Sequence, residues 1–227
     1  FRGNFFFQKD GVSAVFRVIP TDILSLDALD LPMALDKLVQ LKRGIVLVTG
    51  ATGSGKSTTL AAMIDAINRH QRKHIITIED PIEFIHKDKQ SMMNQRSVGE
   101  DAISFGSALK GALREDPDVI LVGEMRDLES IEMALHAAET GHLVFSTLHT
   151  IDAKETLNRI IGTFPPHEQA RIRLTLASTL EGVVSQRLIK TIGGGRKAVI
   201  ELLLKTSRIE ELIRKKRDDE ITDALEE

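Results

Sequence analysis

The run GATGSGKST at residues 50–58 fills every fixed position of the pattern G-x-x-x-x-G-K-[ST], with Gly50, Gly55, Lys56 and Ser57 in the required places. No other part of the chain restricts the fold as strongly, because such a loop joins the end of a buried strand to the first turn of a helix. The flanks agree: Ile45, Val46, Leu47 and Val48 form a short apolar run suited to a buried strand, and residues 60–67 continue with helical periodicity. Backbone N–H groups close round a phosphate only where the chain turns without side-chain obstruction. Gly50, Gly53 and Gly55 provide those turns, with Thr52 and Ser54 between them. Lys56 then sets a compact positive charge against the β and γ phosphates, the Ser57 hydroxyl is a Mg²⁺ ligand, and Thr58 lies beside it. The helix N-terminus faces the anion. The loop therefore predicts a nucleoside triphosphate site; the alternative is a chance Gly-rich turn.

Length and charge narrow the remaining choices. At 227 residues, 42% of them hydrophobic, the chain suffices for one large domain or a domain with a smaller appendage. The net charge of -3, from 30 Lys+Arg against 33 Asp+Glu, gives no global basic field, which disfavours a nucleic-acid substrate. The absence of cysteine excludes disulfides, thiolate zinc sites and a Cys nucleophile, and suits a reducing cytoplasmic setting. No apolar stretch approaches the ~18 residues needed to span a bilayer, so any membrane contact is expected to be peripheral. The opening at Phe1 reads as the middle of a strand, and a preceding N-terminal part is expected.

Residues 1–19 alternate apolar and polar positions around the Asp10-Gly11 turn and read as a β-hairpin, with Val12, Ala14, Phe16 and Val18 on one face. Residues 21–32 read as a linker and 33–41 as a short amphipathic helix. Apolar strand candidates recur at 74–78, 119–122 and 143–148, with helical patterns at 105–115, 128–139 and 153–161. Strands alternating with helices predict an α/β fold with a parallel-rich sheet. After Pro165-Pro166 the pattern predicts a long helix through about Leu188, then a turn at Gly193-Gly194-Gly195, a strand over 198–204 and a helix ending in the basic run 214–217. That run complements a helix dipole and carries no binding role.

Three constellations stand at predicted strand ends, where ligands meet doubly wound sheets. Glu124 follows Val119–Val122 and Gly123, placed to hold a Mg²⁺ hydration shell or to orient and deprotonate an attacking water. The alternative, a helix N-cap, is better filled by Asp127. Glu79, Asp80 and Glu83 lie within five residues, broken by Pro81, and repel one another unless a cation or donor compensates. Mg²⁺ with its water is one such compensation; a solvated Asp-Pro turn is the other. Thr147, His149 and Thr150 close a third strand, where a neutral imidazole at His149 senses a γ-phosphate or serves structure alone. His142, at the other end of that strand, reads as structural. A triphosphatase also needs a guanidinium at the γ-phosphate. Arg2, Arg17, Arg96, Arg114, Arg126 and Arg159 are candidates that composition does not rank.

Taken in order, GATGSGKST at 50–58, ITIEDPIEF at 76–84, ALREDPDVILVGEMRD at 112–127 and AAETGHLVFSTLHT at 137–150 resemble the secretion ATPases of type IV pili and type II secretion. The likeness is strongest to their pilus retraction branch, the PilT-like ATPases, and covers nearly the whole chain. It implies a RecA-like P-loop NTPase core at 33–227, helical from about 165, behind an N-terminal PAS-like domain of which residues 1–20 are a remnant. It also implies ATP hydrolysis with Mg²⁺, a homohexameric ring, and a cytoplasmic place against an inner-membrane pilus platform protein. By the same resemblance Lys56, Ser57 and Thr58 take phosphate and Mg²⁺, Glu124 is the Walker B acid, Glu83 the Asp-box acid and His149 the His-box residue. Arg2 and Arg17 match N-terminal arginines near the phosphates, and Arg114 and Arg159 further polar positions of the site. The tetracysteine zinc element of the extension and secretion branches has no counterpart after His149, which favours retraction and no zinc. SRIEELIRKK at 207–216 departs from the retraction branch's AIRNLIREGK pattern, which bears on the branch and not on ATP hydrolysis. Outside that branch, the alternatives are an assembly or secretion ATPase of the same fold, a small-molecule kinase, or a regulatory nucleotide-binding module without catalysis.

Overall fold

A computed structural model describes residues 1–20 and 22–225 of the chain. Strands β1 (Arg2–Gln8) and β2 (Gly11–Arg17) pair antiparallel as a separate hairpin, with Gly11 at φ 114° in the turn. Its apolar side chains are largely exposed, and Phe5 meets Phe16 edge to face at 5.7 Å. The rest of the chain runs through α1 (Leu35–Val39), β3 (Gly44–Thr49), α2 (Lys56–His70), β4 (His74–Glu79), β5 (Met92–Ser97), α3 (Phe105–Ala112), β6 (Val119–Val122), α4 (Leu128–Glu139) and β7 (Leu143–Leu148). It continues with α5 (Ala153–Gly162), α6 (Gln169–Thr179), β8 (Leu180–Lys190), β9 (Arg196–Leu204), α7 (Ser207–Arg214) and α8 (Ile221–Leu225).

The described residues form a second sheet of seven strands, ordered β5-β4-β6-β7-β3-β8-β9. Every neighbouring pair is parallel except β8–β9. The central strands are apolar on both faces because helices cover both. Ile45, Leu47, Ile76, Ile78, Ile120 and Val144 face one core with α3 to α7. Val46, Val48, Ile75, Leu121 and Phe145 face the other, with α1 and α2. Four helices begin on a side chain that accepts a backbone N–H three residues on: Ser104, Asp127, Asp152 and Thr206. Asp127 is the cap expected from the sequence.

The expected long helix through Leu188 is not what forms. Helix α6 stops at Thr179, and from Leu180 the chain is a strand alongside β3. The reason is packing: Val183 and Val184 are fully buried on opposite faces of the sheet, and Gly182 lets its neighbours approach closely. A Cβ there would lie 2.9 Å from Leu38 Cδ2 and 3.1 Å from the Leu203 carbonyl oxygen. Strand β5 was also not expected, since a polar edge strand carries little apolar signal. In the expected linker, whose residue 21 lies outside the described residues, Leu26 and Leu31 are buried in the same core as α1.

The segment 80–91 between β4 and β5 is tied to α2. Asn68 donates to the Lys87 carbonyl at 2.8 Å and accepts from the Lys89 and Gln90 N–H groups, while buried Asp65 pairs with Lys89 and Arg69. His86 belongs to this segment and is buried. Its backbone N–H donates to Gln95 Oε1 at 2.7 Å, and its buried Nδ1 has no hydrogen-bond partner. Burial lowers the His86 pKa from 6.5 to about 4; Asp65 opposes that fall and Lys89 adds to it.

Two outcomes follow from these packings. Gly182→Val should destabilise the fold by about 1–3 kcal/mol through overpacking, read as a lower urea midpoint; a helical segment would gain from losing its glycine. His86 binds its proton in the unfolded chain from pH 6.5 downward but in the fold only near pH 4. Its contribution is therefore complete above pH 6.5 and lost as pH falls to about 4, a drop of about 3 kcal/mol. Urea midpoints across that interval should flatten in His86→Leu relative to the parent.

Candidate functional site

The loop from Gly50 to Gly55 leaves the end of β3 and delivers Lys56 as the first residue of α2, with Gly55 at φ 92° in the cap position. Lys56 Nζ donates to the Gly50 and Ala51 carbonyl oxygens at 2.7 and 3.1 Å. An ammonium has three donors, so one remains to point outward. Gly53, at φ 79°, would place a Cβ in open space, which is what a loop curved toward a ligand requires.

Three other strand ends close on this loop, and hydrogen bonds lace them together. The Gly123 N–H donates to the Ile78 carbonyl at 2.7 Å, Thr147 Oγ1 donates to the Gly123 carbonyl at 2.6 Å, and the Met125 N–H donates to the Thr147 carbonyl at 3.2 Å. Glu124 is thereby fixed between β4 and β7. Its carboxylate takes Arg126 Nη2 at 2.7 Å and faces His149 Nε2 at 3.1 Å. Glu79 Oε1 accepts from Thr77 Oγ1 at 2.8 Å and from Gln95 Nε2 at 3.3 Å, and its Oε2 accepts the Glu83 N–H at 3.3 Å.

One cavity of about 630 Å³ collects these groups. Of the residues singled out in the sequence it is lined by Arg17, Thr52, Gly53, Gly55, Lys56, Ser57, Thr58, Glu79, Asp80, Glu83, Glu124, Arg126, Thr147 and His149. Gly50 and Ser54 line a smaller depression on the loop's other side, with Gln186 and Leu188. Arg2, Arg114 and Arg159 are not in the cavity wall. Arg159 stands on the outer face of α5, whose inner positions Leu157, Ile160 and Ile161 are buried, and Arg114 follows α3 in an exposed turn. Arg126 and Arg196 do reach the wall, as does His86. Arg196 was not singled out because it opens a strand beyond a Gly-rich turn, far along the chain from every motif.

The electrostatics record the same convergence. Burial draws the Lys56 ammonium below its usual range, against the opposing pull of the Glu124 and Glu83 carboxylates. Burial raises Glu79 above the carboxylate norm even though Thr77, the Glu83 N–H and Gln95 stabilise its charge. Glu124 goes the other way: burial pushes it up, but Arg126 and His149 together outweigh that and hold it low. The site therefore presents a firmly ionised carboxylate and a more basic one, both within reach of a lysine-bearing anion loop.

The family model for type II/IV secretion system protein matches residues 8–194. The chain is 52% identical over 226 residues to the type IV pilus retraction ATPase PilT of Pseudomonas aeruginosa, an alignment covering 100% of this chain and 66% of that one. It is 53% identical over 227 residues to the twitching motility protein of Neisseria gonorrhoeae, covering 100% and 61%. The solved structure of the pilus retraction motor PilT with bound ADP superposes with a TM-score of 0.96 at 52% identity, over 98% of this chain and 65% of that one. The chain thus spans a little under two thirds of the length of these relatives. By the family match and by these identities, the chain belongs to the type II/IV secretion system protein family.

Proposed function

We propose that this chain is the ATP-hydrolysing part of a motor subunit that powers type IV pilus retraction. The observation that carries the reading is the convergence of Lys56 with Glu83, Glu124 and His149 on one cavity beside the phosphate loop. Its likeness to PilT supports the choice of retraction within the family. Assembly or type II secretion by the same chemistry is the second reading, favoured by the departure at 207–216 noted above.

The hard oxygen donors of Ser57, Glu124 and Glu79 fit Mg²⁺, which typically takes one or two protein oxygens and completes its shell with phosphate and water. Once bound, Mg²⁺ would neutralise phosphate charge and align the γ-phosphoryl group. Lys56 directs its remaining N–H at the β and γ phosphates. Glu124, kept ionised by Arg126 and His149, accepts a hydrogen bond from the attacking water and fixes its line of approach. The imidazole of His149, in contact with that carboxylate, reports loss of the γ-phosphate to α5. Arg17 at the cavity wall supplies further positive charge; Arg2, Arg114 and Arg159 act, if at all, across a boundary with another subunit. On this reading residues 1–20 belong to a PAS-like domain, residues 33–227 form the ATPase domain, and a homohexamer docks on a platform protein at the inner membrane.

Lys56→Ala should abolish ATP retention in calorimetry. Glu124→Gln should keep ATP binding and lose about 10²- to 10⁴-fold in phosphate release; turnover at the parental rate would remove Glu124 from its role. Light scattering with a non-hydrolysable ATP analogue should give a sixfold multiple of the subunit mass, whereas a monomer under every nucleotide condition would remove the ring from this reading.

A further inference from the structure

We propose that Gln186, on β8, is the positioning residue of the phosphate loop, holding it in its phosphate-binding curve from behind. This inference rests on the nucleotide reading above and names a residue that reading does not use. Gln186 is almost fully buried, and both ends of its amide are engaged. Nε2 donates to the Ser54 carbonyl at 2.8 Å, and Oε1 accepts from Thr59 Oγ1 at 2.7 Å. One planar group therefore bridges the crest of the loop and the first turn of the helix that follows it. The next residue back on the strand repeats the tie, since Thr49 Oγ1 donates to Ser185 Oγ at 3.1 Å where β3 enters the loop.

The glycines of the motif carry the imprint of this contact. A Cβ on Gly50 would lie 2.3 Å from the Gln186 carbonyl oxygen, and one on Gly55 would lie 2.6 Å from Gln186 Nε2. At Gly53 a Cβ would meet nothing within 4 Å. Two of the three loop glycines are thus required by the approach of β8, in addition to their positive φ, and only the third faces open space where phosphate would sit. Tying down the Ser54 carbonyl also turns that peptide away from the anion, so the loop offers N–H groups and not oxygens to the phosphate. Gln186 acts through the loop and touches no reacting atom.

Calorimetric titration with ADP tests the role. Gln186→Met, which keeps the volume and removes both hydrogen bonds, should weaken ADP binding by about 10- to 100-fold. Thr59→Val, which leaves the Ser54 tie in place, should stay within about threefold of the parent. Gln186→Glu adds a readout that a purely structural role would not move. At pH 8 its second carboxylate oxygen opposes the Ser54 carbonyl and binding is weak; toward pH 5 the protonated carboxyl can donate to that oxygen. Its affinity relative to the parent at the same pH should therefore recover on acidification. Folded Gln186→Met protein that binds ADP as tightly as the parent overturns the proposal. If that variant fails to fold, a Gln186→Glu ratio that is flat with pH overturns it instead. A parent that binds no ADP would bring down the nucleotide reading itself, whereas a binding parent with unaffected variants removes only Gln186.

Discussion

Everything in the site is organised round a lysine ammonium held beneath its own loop. Lys56 Nζ spends two of its three donors on the Gly50 and Ala51 carbonyls, which fixes the charge at the entrance of α2 and leaves one N–H free. Burial of that ammonium is unfavourable, and it is tolerated because carbonyl dipoles and the Glu124 and Glu83 carboxylates surround it. A protein that places a desolvated lysine among acids in an open cavity is arranged for a polyanion that can take up the lysine's last donor.

The sheet makes this possible by bringing distant segments to one edge. Glu79 ends β4, Glu124 follows β6, and His149 follows β7; these strands are neighbours in space and parallel, so their C-terminal ends lie together. Side-chain hydroxyls complete the alignment, with Ser146 Oγ donating to the Val122 carbonyl at 2.7 Å and Thr147 Oγ1 to that of Gly123. Strand ends fray unless such bonds satisfy them. Here they are satisfied, and Glu124 is therefore carried on bonded backbone while its carboxylate, held by Arg126 and His149, stands at the cavity wall.

What could be read from the amino acids depended on how a residue's role shows in its neighbours. Strands β3 and β6 appear as unbroken apolar runs, and β4 and β7 as largely apolar ones interrupted by Thr77 and by Ser146 and Thr147, so their positions, and with them Glu79, Glu124 and His149, were legible. The loop was legible because glycine spacing is local. Strand β8 was not: Val183 and Val184 are followed by Ser185 and Gln186, which are polar yet buried by contact with β3 and the loop, and the mixture resembles one face of a helix. The same misreading hid Gln186. Edge strand β5 buries only Ser97 fully and is polar after Met92 and Met93, so little in its composition demanded a sheet. Arginines are legible least of all, since a long flexible side chain reaches a cavity from many positions. Arg126 and Arg196 reach it, while Arg114 and Arg159 do not.

The charge of the cavity wall bears on what must accompany the nucleotide. Among the described residues the wall carries four cations, Arg17, Lys56, Arg126 and Arg196, and four acids, Glu79, Asp80, Glu83 and Glu124. With the histidines neutral these balance to zero, and Arg126 is already committed to Glu124. A triphosphate brings three to four negative charges into a space that offers no surplus of positive ones, and at short range in a partly desolvated site such a mismatch is costly. Additional positive charge has to come with the ligand or from beyond this wall. On the proposed reading, a divalent ion on the phosphates would supply it from the first source and give the acids a counter-charge, and an arginine from an adjoining domain or subunit would supply it from the second. On that reading, the balance of this wall is what would tie nucleotide binding to both metal and assembly.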